Sequence, residues 1–151
     1  SIMAEMVAAD IQPDMFTWTT LLRVHKGKAE RWQALEEALA AGAAPSLAAT
    51  APLWNTYLSI LSSEEAVREG MDMMRAGGVS PDTHTWNILQ SACSSSGAVR
   101  RVMAEMTAEG VTPDVMSWNT LLRTLSTLQE MQAILREMLE LNVTPSDWTW
   151  R

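Results

Sequence analysis

The 151-residue chain is expected to fold as an all-α solenoid of stacked antiparallel helix-turn-helix repeats, and three observations carry that expectation. Five tryptophans, Trp18, Trp54, Trp86, Trp118 and Trp150, are separated once by 36 residues and then three times by 32. Each of the first four is followed 27 residues later by a proline: Pro45, Pro81, Pro113 and Pro145. No segment alternates apolar and polar residues over the length of a strand, whereas the stretches between prolines carry apolar residues at helical spacing. A fixed period of about 20–50 residues marks an architecture whose units bury their apolar faces only against neighbours. Function then belongs on a shared surface rather than in a central pocket.

The elements follow from that period. SIMAEMVAADIQPD at residues 1–14 parallels VMAEMTAEGVTPD further along, so the chain is expected to open in the second helix of a truncated repeat. Residues 147–151 are expected to start a further repeat, so the chain is expected to be a fragment, or the ordered part, of a longer protein. Residues 15–50 form repeat 1, whose extra length is an insertion at 47–50, because its Trp-to-Pro distance is unchanged. Repeats 2, 3 and 4 occupy 51–82, 83–114 and 115–146. In each, a first helix carries the Trp, a polar break intervenes, and a second helix leads to the next proline. For repeat 4 the first helix is VMSWNTLLRTL, with Met116, Leu121, Leu122 and Leu125 near helical spacing. The second is LQEMQAILREMLEL, with Met131, Ile134, Leu135, Met138 and Leu139 on one stripe. Asp82 and Asp114 precede first helices, with Thr85 and Ser117 as alternative caps, and Ser62-Ser63-Glu64-Glu65 supplies a cap and an acidic first turn. Gly42, Gly77, Gly110 and Asn142 mark helix exits, because these residue types tolerate a left-handed backbone. The tryptophans are expected to wedge between the two helices of their own hairpin, and the eleven methionines to act as adaptable core filler.

Composition narrows the function classes. No apolar run approaches the roughly 18–20 residues needed to cross a bilayer, so no membrane span is expected. The single cysteine, Cys93, excludes an internal disulfide and leaves no ligand set for a structural zinc. No H-E-x-x-H, C-x-x-C, phosphate-cradling loop or nucleophile elbow occurs. His84 and Cys93, nine residues apart, stand about half a turn out of phase on a helix and cannot form a dyad. The chain is therefore not expected to be an enzyme, to hold a cofactor or metal, or to take a small-molecule substrate. The net charge of −7 opposes nucleic acid at first sight. All 18 acids, however, lie outside the first-helix segments 15–26, 51–62, 83–94 and 115–126, whose only charges are Arg23, Lys26 and Arg123. Arg68, Arg100, Arg101 and Arg136 on second helices are expected to pair with nearby acids at helical spacing.

The strings PDMFTWTTLL, PDTHTWNIL and PDVMSWNTLL, with the exits GVSPD and GVTPD, resemble the pentatricopeptide repeat (PPR) family over nearly the whole chain. The tetratricopeptide repeats also carry a Trp and a terminal Pro but lack the Pro-Asp-x-x-Thr-Trp-Asn run. A Trp where the family usually has Tyr, and a unit shorter than usual, mark short or divergent repeats. The resemblance implies binding of single-stranded RNA, because that family reads one base per repeat with two or three side chains. By the family's convention the readers are the fifth and last residues of a unit. Asn55 with Asp82, and Asn87 with Asp114, resemble uracil-reading pairs; Asn119 with Ser146 resembles a cytosine-reading one. Thr19 implies a purine, with either Ser46 or Thr50 as its partner. The second residues, implied to flank each base, are Phe16, Pro52, His84, Met116 and Trp148, and Arg23, Lys26 and Arg123 would meet phosphates. On the residues alone, the same asparagines fall in first helical turns, and Asp14, Asp82 and Asp114 just before them, where both types serve as caps. The resemblance also implies an organelle, a mitochondrion or alternatively a chloroplast. A competing reading, drawn from the insertion, the acidic balance and the few lysines, is a structural adaptor in a large organellar assembly such as a mitochondrial ribosome. Its partners would be ribosomal or other complex proteins, with RNA met by shape.

Overall fold

The structure, a computed structural model, describes residues 2–11, 14–40 and 47–146. Among the described residues the chain is all-helical: α1 (Ile2–Ala8), α2 (Met15–Val24), α3 (Lys28–Ala40), α4 (Leu47–Ser59), α5 (Glu64–Ala76), α6 (Thr83–Ala92), α7 (Ser96–Ala108), α8 (Val115–Arg123) and α9 (Leu128–Glu140). The helices group into two compact units, one of Ser1–Ser62 with Glu69–Ser80 and one of Ser63–Arg68 with Pro81–Arg151.

The first helices α2, α6 and α8 begin by one device. Asp14, Asp82 and Asp114 hold extended backbone at φ −96°, −102° and −102°, and each carboxylate accepts the N–H of the residue three positions on. Thr85 and Ser117 are not alternative caps but the third residues of α6 and α8. Their hydroxyls accept the N–H of Asp82 and Asp114 at 3.1 and 3.3 Å, closing a capping box. The carboxylate takes the capping place because it accepts from the helix without having to spend a proton, which leaves the hydroxyl to satisfy the cap's own N–H. The second helices α5, α7 and α9 are capped by hydroxyls: Ser63, Ser95 and Thr127 accept from Ala66, Ala98 and Glu130 at 3.2 Å in each case.

Second helices end equally regularly. The residue after the left-handed position donates its N–H to a methionine carbonyl: Ile11 to Met6, Val79 to Met74, Val111 to Met106 and Val143 to Met138, at 2.9, 3.0, 3.0 and 2.8 Å. The left-handed residues are Asp10, Gly78, Gly110 and Asn142, with φ of 59°, 82°, 79° and 58°. Gly78, not Gly77, therefore makes the exit of α5, because the closing bond fixes that residue as the one just before Val79. Gly42 lies outside the described residues.

The insertion at 47–50 is helical. It forms the start of α4, which runs 13 residues and carries Pro52 inside it, against 10 in α6 and 9 in α8. Thr50 thus sits in helix, unlike the extended aspartates that end the neighbouring units, and Ser46 lies outside the described residues.

In the first unit Trp18, Leu22, Leu35, Leu53, Trp54 and Leu58 are buried, and α2, α3 and α4 pack on one another. Trp32 joins Trp54 and Tyr57 in a tilted aromatic cluster, both at 5.9 Å between ring centroids. In the second unit Val99 and Met103 of α7, Trp118 and Leu121 of α8, and Ile134 and Met138 of α9 form one apolar layer. Trp118 therefore binds its own hairpin to the preceding second helix, rather than wedging within its hairpin alone. The buried methionines Met71, Met74, Met103, Met106 and Met138 fill these cores, whereas Leu139 of the expected stripe is 61% exposed.

Candidate nucleic-acid interface

The second residues of the first helices stand in solvent. Phe16 is 78% exposed, Met116 60%, and Pro52 and His84 are exposed as well; Trp148 lies outside the described residues. For four positions at one register this is unusual, since Phe and Met ordinarily bury their apolar surface. The geometry follows from the cap: the second residue after each of Asp14, Asp82 and Asp114, namely Phe16, His84 and Met116, stands in solvent, while the Trp four positions after each cap is buried in the core.

Beside these positions lie the fifth and last residues of each unit. In the second unit α6 packs on α8, which brings the end of one repeat to the first helix before it. Asn87 Nδ2 donates to Asp114 Oδ1 at 3.1 Å, and Asn119 Nδ2 reaches Ser146 Oγ at 3.5 Å. Two of the residue pairs singled out in the sequence, each 27 residues apart, are thus brought together. The same carboxylate oxygen of Asp114 also caps α8 through Ser117 N at 3.0 Å, so capping and pairing are one arrangement and not rivals. Ser117, not among the expected site residues, joins them: its Oγ lies 2.6 Å from Asn87 Oδ1. Asn87, Asp114, Asn119 and Ser146 are half-buried.

The other candidate readers are placed differently. Asn55 is 6% exposed on α4, and Asp82 is exposed at the start of α6. Thr19 is half-buried and donates its hydroxyl to the Phe16 carbonyl at 3.0 Å, a bond within its own helix. Arg23, Lys26 and Arg123 are exposed at or just beyond the ends of α2 and α8.

The opposite surface of the second unit is built from ion pairs. Arg68 pairs with Glu64 at 3.1 Å on its own helix, as helical spacing predicts. Its guanidinium also forks onto Glu105 of α7 at 2.8 and 3.3 Å, Arg101 reaches back to Glu64 at 3.3 Å, and Arg100 bonds Glu137 of α9 at 2.9 Å. These three links join residues 37 positions apart, from one repeat to the next. Pairing at helical spacing holds for Arg68 with Glu64 and for Arg101 with Glu105, and pairing between repeats is added to it, because the second helices lie close enough for long side chains to bridge them. One signal in the sequence could have shown this, because the charges oppose each other at that one offset. Among the described residues no group of His, Cys, Asp or Glu could hold a metal ion, and no helix is long and apolar enough to cross a membrane.

Residues 1–39 match the sequence profile of the pentatricopeptide repeat domain. No curated protein matches the chain in sequence. Among solved structures, that of the pentatricopeptide repeat protein PPR10 in complex with an 18-nt psaJ RNA element is similar over 97% of this chain, at 18% identity and a TM-score of 0.74. PPR10 from maize is similar over 99% of this chain, at 24% identity and a TM-score of 0.64. The chain spans 23% and 22% of the lengths of those two chains. Likeness at this level establishes the fold, an α-solenoid of helical hairpins, as the periodicity predicts.

Proposed function

We propose that the first-helix surface binds single-stranded RNA, one base per repeat, for a chain whose residues 1–39 match the pentatricopeptide repeat profile and whose fold is similar to that of a solved pentatricopeptide repeat protein. The observation that carries this reading is the bridge between Asn87 and Asp114, set beside the exposed His84 and Met116. An amide held at one end by a carboxylate keeps a donor and an acceptor for the edge of a base, while flat or polarizable side chains on either side supply stacking surface. The RNA seen in the PPR10 complex supports the same ligand class.

In finer detail the proposed order is a purine at Thr19, uracil at Asn55 with Asp82, uracil at Asn87 with Asp114, and cytosine at Asn119 with Ser146. Asn55, covered by its surroundings, offers the least edge of the four. Arg23, Lys26 and Arg123 are the phosphate contacts, and so few cations give a shallow dependence on salt. The organellar setting, mitochondrion or chloroplast, rests on the resemblance alone. The burial of Asn55 favours the adaptor reading for that repeat, with a protein or a folded RNA met by shape.

Fluorescence anisotropy with labelled single-stranded RNA carrying a UUC core, against its complement GAA at two salt concentrations, tests the proposal. UUC should bind more tightly, and Asn87→Thr or Asn119→Thr should erode the preference. Equal affinity for both RNAs, or none, sinks base reading and leaves the adaptor.

A further inference from the structure

We infer that Ser117 is a positioning residue that fixes which way the Asn87 amide faces, and so helps to set which pyrimidine that repeat accepts; this rests on the RNA reading above. Asp114 Oδ1 lies within reach of three donors: Ser117 N at 3.0 Å, Asn87 Nδ2 at 3.1 Å and Ser117 Oγ at 3.1 Å. The hydroxyl has one proton, and its nearest acceptor is Asn87 Oδ1 at 2.6 Å. Asp114 Oδ1, already taking two N–H groups, leaves that proton to the amide oxygen. A carboxylate oxygen accepts and does not donate, so the amide nitrogen must face Asp114 and the amide oxygen must face Ser117. The reverse placement would set two acceptor oxygens against each other. Ser117 is fully buried in the first turn of α8, so its hydroxyl cannot swing away.

What remains outward from Asn87 is one N–H and one carbonyl lone pair in a fixed order. Uracil and cytosine differ in this same order: uracil presents a carbonyl beside an N–H, and cytosine an amino group beside a bare ring nitrogen. An amide locked in one sense suits one of them, and an amide free to flip suits both. At Asn119 the last residue of the unit is Ser146, whose Oγ at 3.5 Å can donate or accept, so that bond by itself sets no order.

The test titrates the isotope-labelled 151-residue chain by NMR with two single-stranded RNAs that differ only in the base read by repeat 3, one carrying UUC and one UCC. Wild type should prefer UUC, and Ser117→Ala should shrink the ratio by about three- to tenfold, the worth of one hydrogen bond. Ser117→Thr should restore it, because Thr85 occupies the same place in the box of α6. A purely structural Ser117 would lower both affinities together and leave the ratio intact. That outcome overturns the inference while base reading stands; a wild type with no preference, or no binding, overturns both. A second readout needs no RNA: nitrogen relaxation of the Asn87 side-chain amide should show it loosened in Ser117→Ala, and unchanged order overturns the inference. Should that variant fail to fold, Ser117→Cys keeps the volume with a weak donor and gives the same readouts.

Discussion

The two faces of the second unit tie neighbouring repeats together with different chemistry. On the first-helix side a single carboxylate, Asp114, gathers an amide and a hydroxyl into a small network. On the second-helix side Glu64, Arg68, Glu105 and Arg101 close a four-membered ring of opposite charges. The ring satisfies itself: its acceptors and donors are turned on one another, so it has little to offer a ligand. The network around Asp114 leaves a donor and an acceptor of Asn87 outward, next to exposed apolar groups. The difference teaches that the acidic composition misleads about partners, because most of the acid sits where arginines answer it or in solvent away from the first helices.

Both faces hang on the apolar layer between them, so the largest effect should come from its centre. Trp118→Ala removes the side chain that joins α7, α8 and α9 and should cost about 3–5 kcal/mol in urea unfolding. It should loosen both networks together. Loss of the Asn87 amide order with the ion-pair ring intact would show instead that the two faces are independent.

A smaller effect distinguishes the faces. Asp114→Ala removes the cap of α8 and the anchor of Asn87 in one step, and should cost about 1–3 kcal/mol. Arg68→Gln breaks two links of the ring but should cost under about 1 kcal/mol, since the pair is a third exposed and long side chains lose entropy when held. Added salt should narrow the gap between wild type and Arg68→Gln by screening the ring, and should leave the Asp114→Ala deficit nearly unchanged. Equal salt sensitivity in both variants contradicts the division of labour.

The fold was legible because repetition multiplies a weak signal. One Trp followed by one Pro says little, but four at a constant distance fix the register of every hairpin. The caps Asp82 and Asp114 were readable for the same reason, whereas the partners of Asn87 and Asn119 came from the family resemblance and not from the period. Thr85 and Ser117 were misassigned because a hydroxyl three residues after an aspartate looks like a second cap until both bonds are seen. Gly77 and Gly78 are adjacent, and only the closing bond from Val79 to Met74 decides between them. Asn55 follows a Trp as Asn87 does yet is buried on α4, the helix that the insertion lengthens, and the sequence around it does not show that burial. The ring of charges was marked in the sequence only by opposed charges at an offset of 37 residues, and its closure needed the distance between second helices, which no single repeat specifies.

The smallest effect tests that ring through its acid member and the thiol beside it. Burial alone would raise the carboxyl of Glu64, but hydrogen bonds and charge from Arg68 and Arg101 overcome it and hold the group below its ordinary 4.5. A carboxyl lowered in the folded chain adds stability above its unfolded value, and that contribution is lost as pH falls through the folded value. Glu64→Gln should therefore flatten the loss of stability below about pH 4.5, by under about 1 kcal/mol because the site is partly exposed. The same substitution has a second reading at Cys93. Burial, and after it the charge of Glu64, push that thiol from 9.0 to about 11, so alkylation of the folded wild type should be slow at pH 8–9 and accelerate only above pH 10. Removing the Glu64 charge should bring the profile partway back, leaving the part due to burial. A Cys93 profile that ignores Glu64→Gln while the acid limb flattens would place the thiol outside the field of the ring.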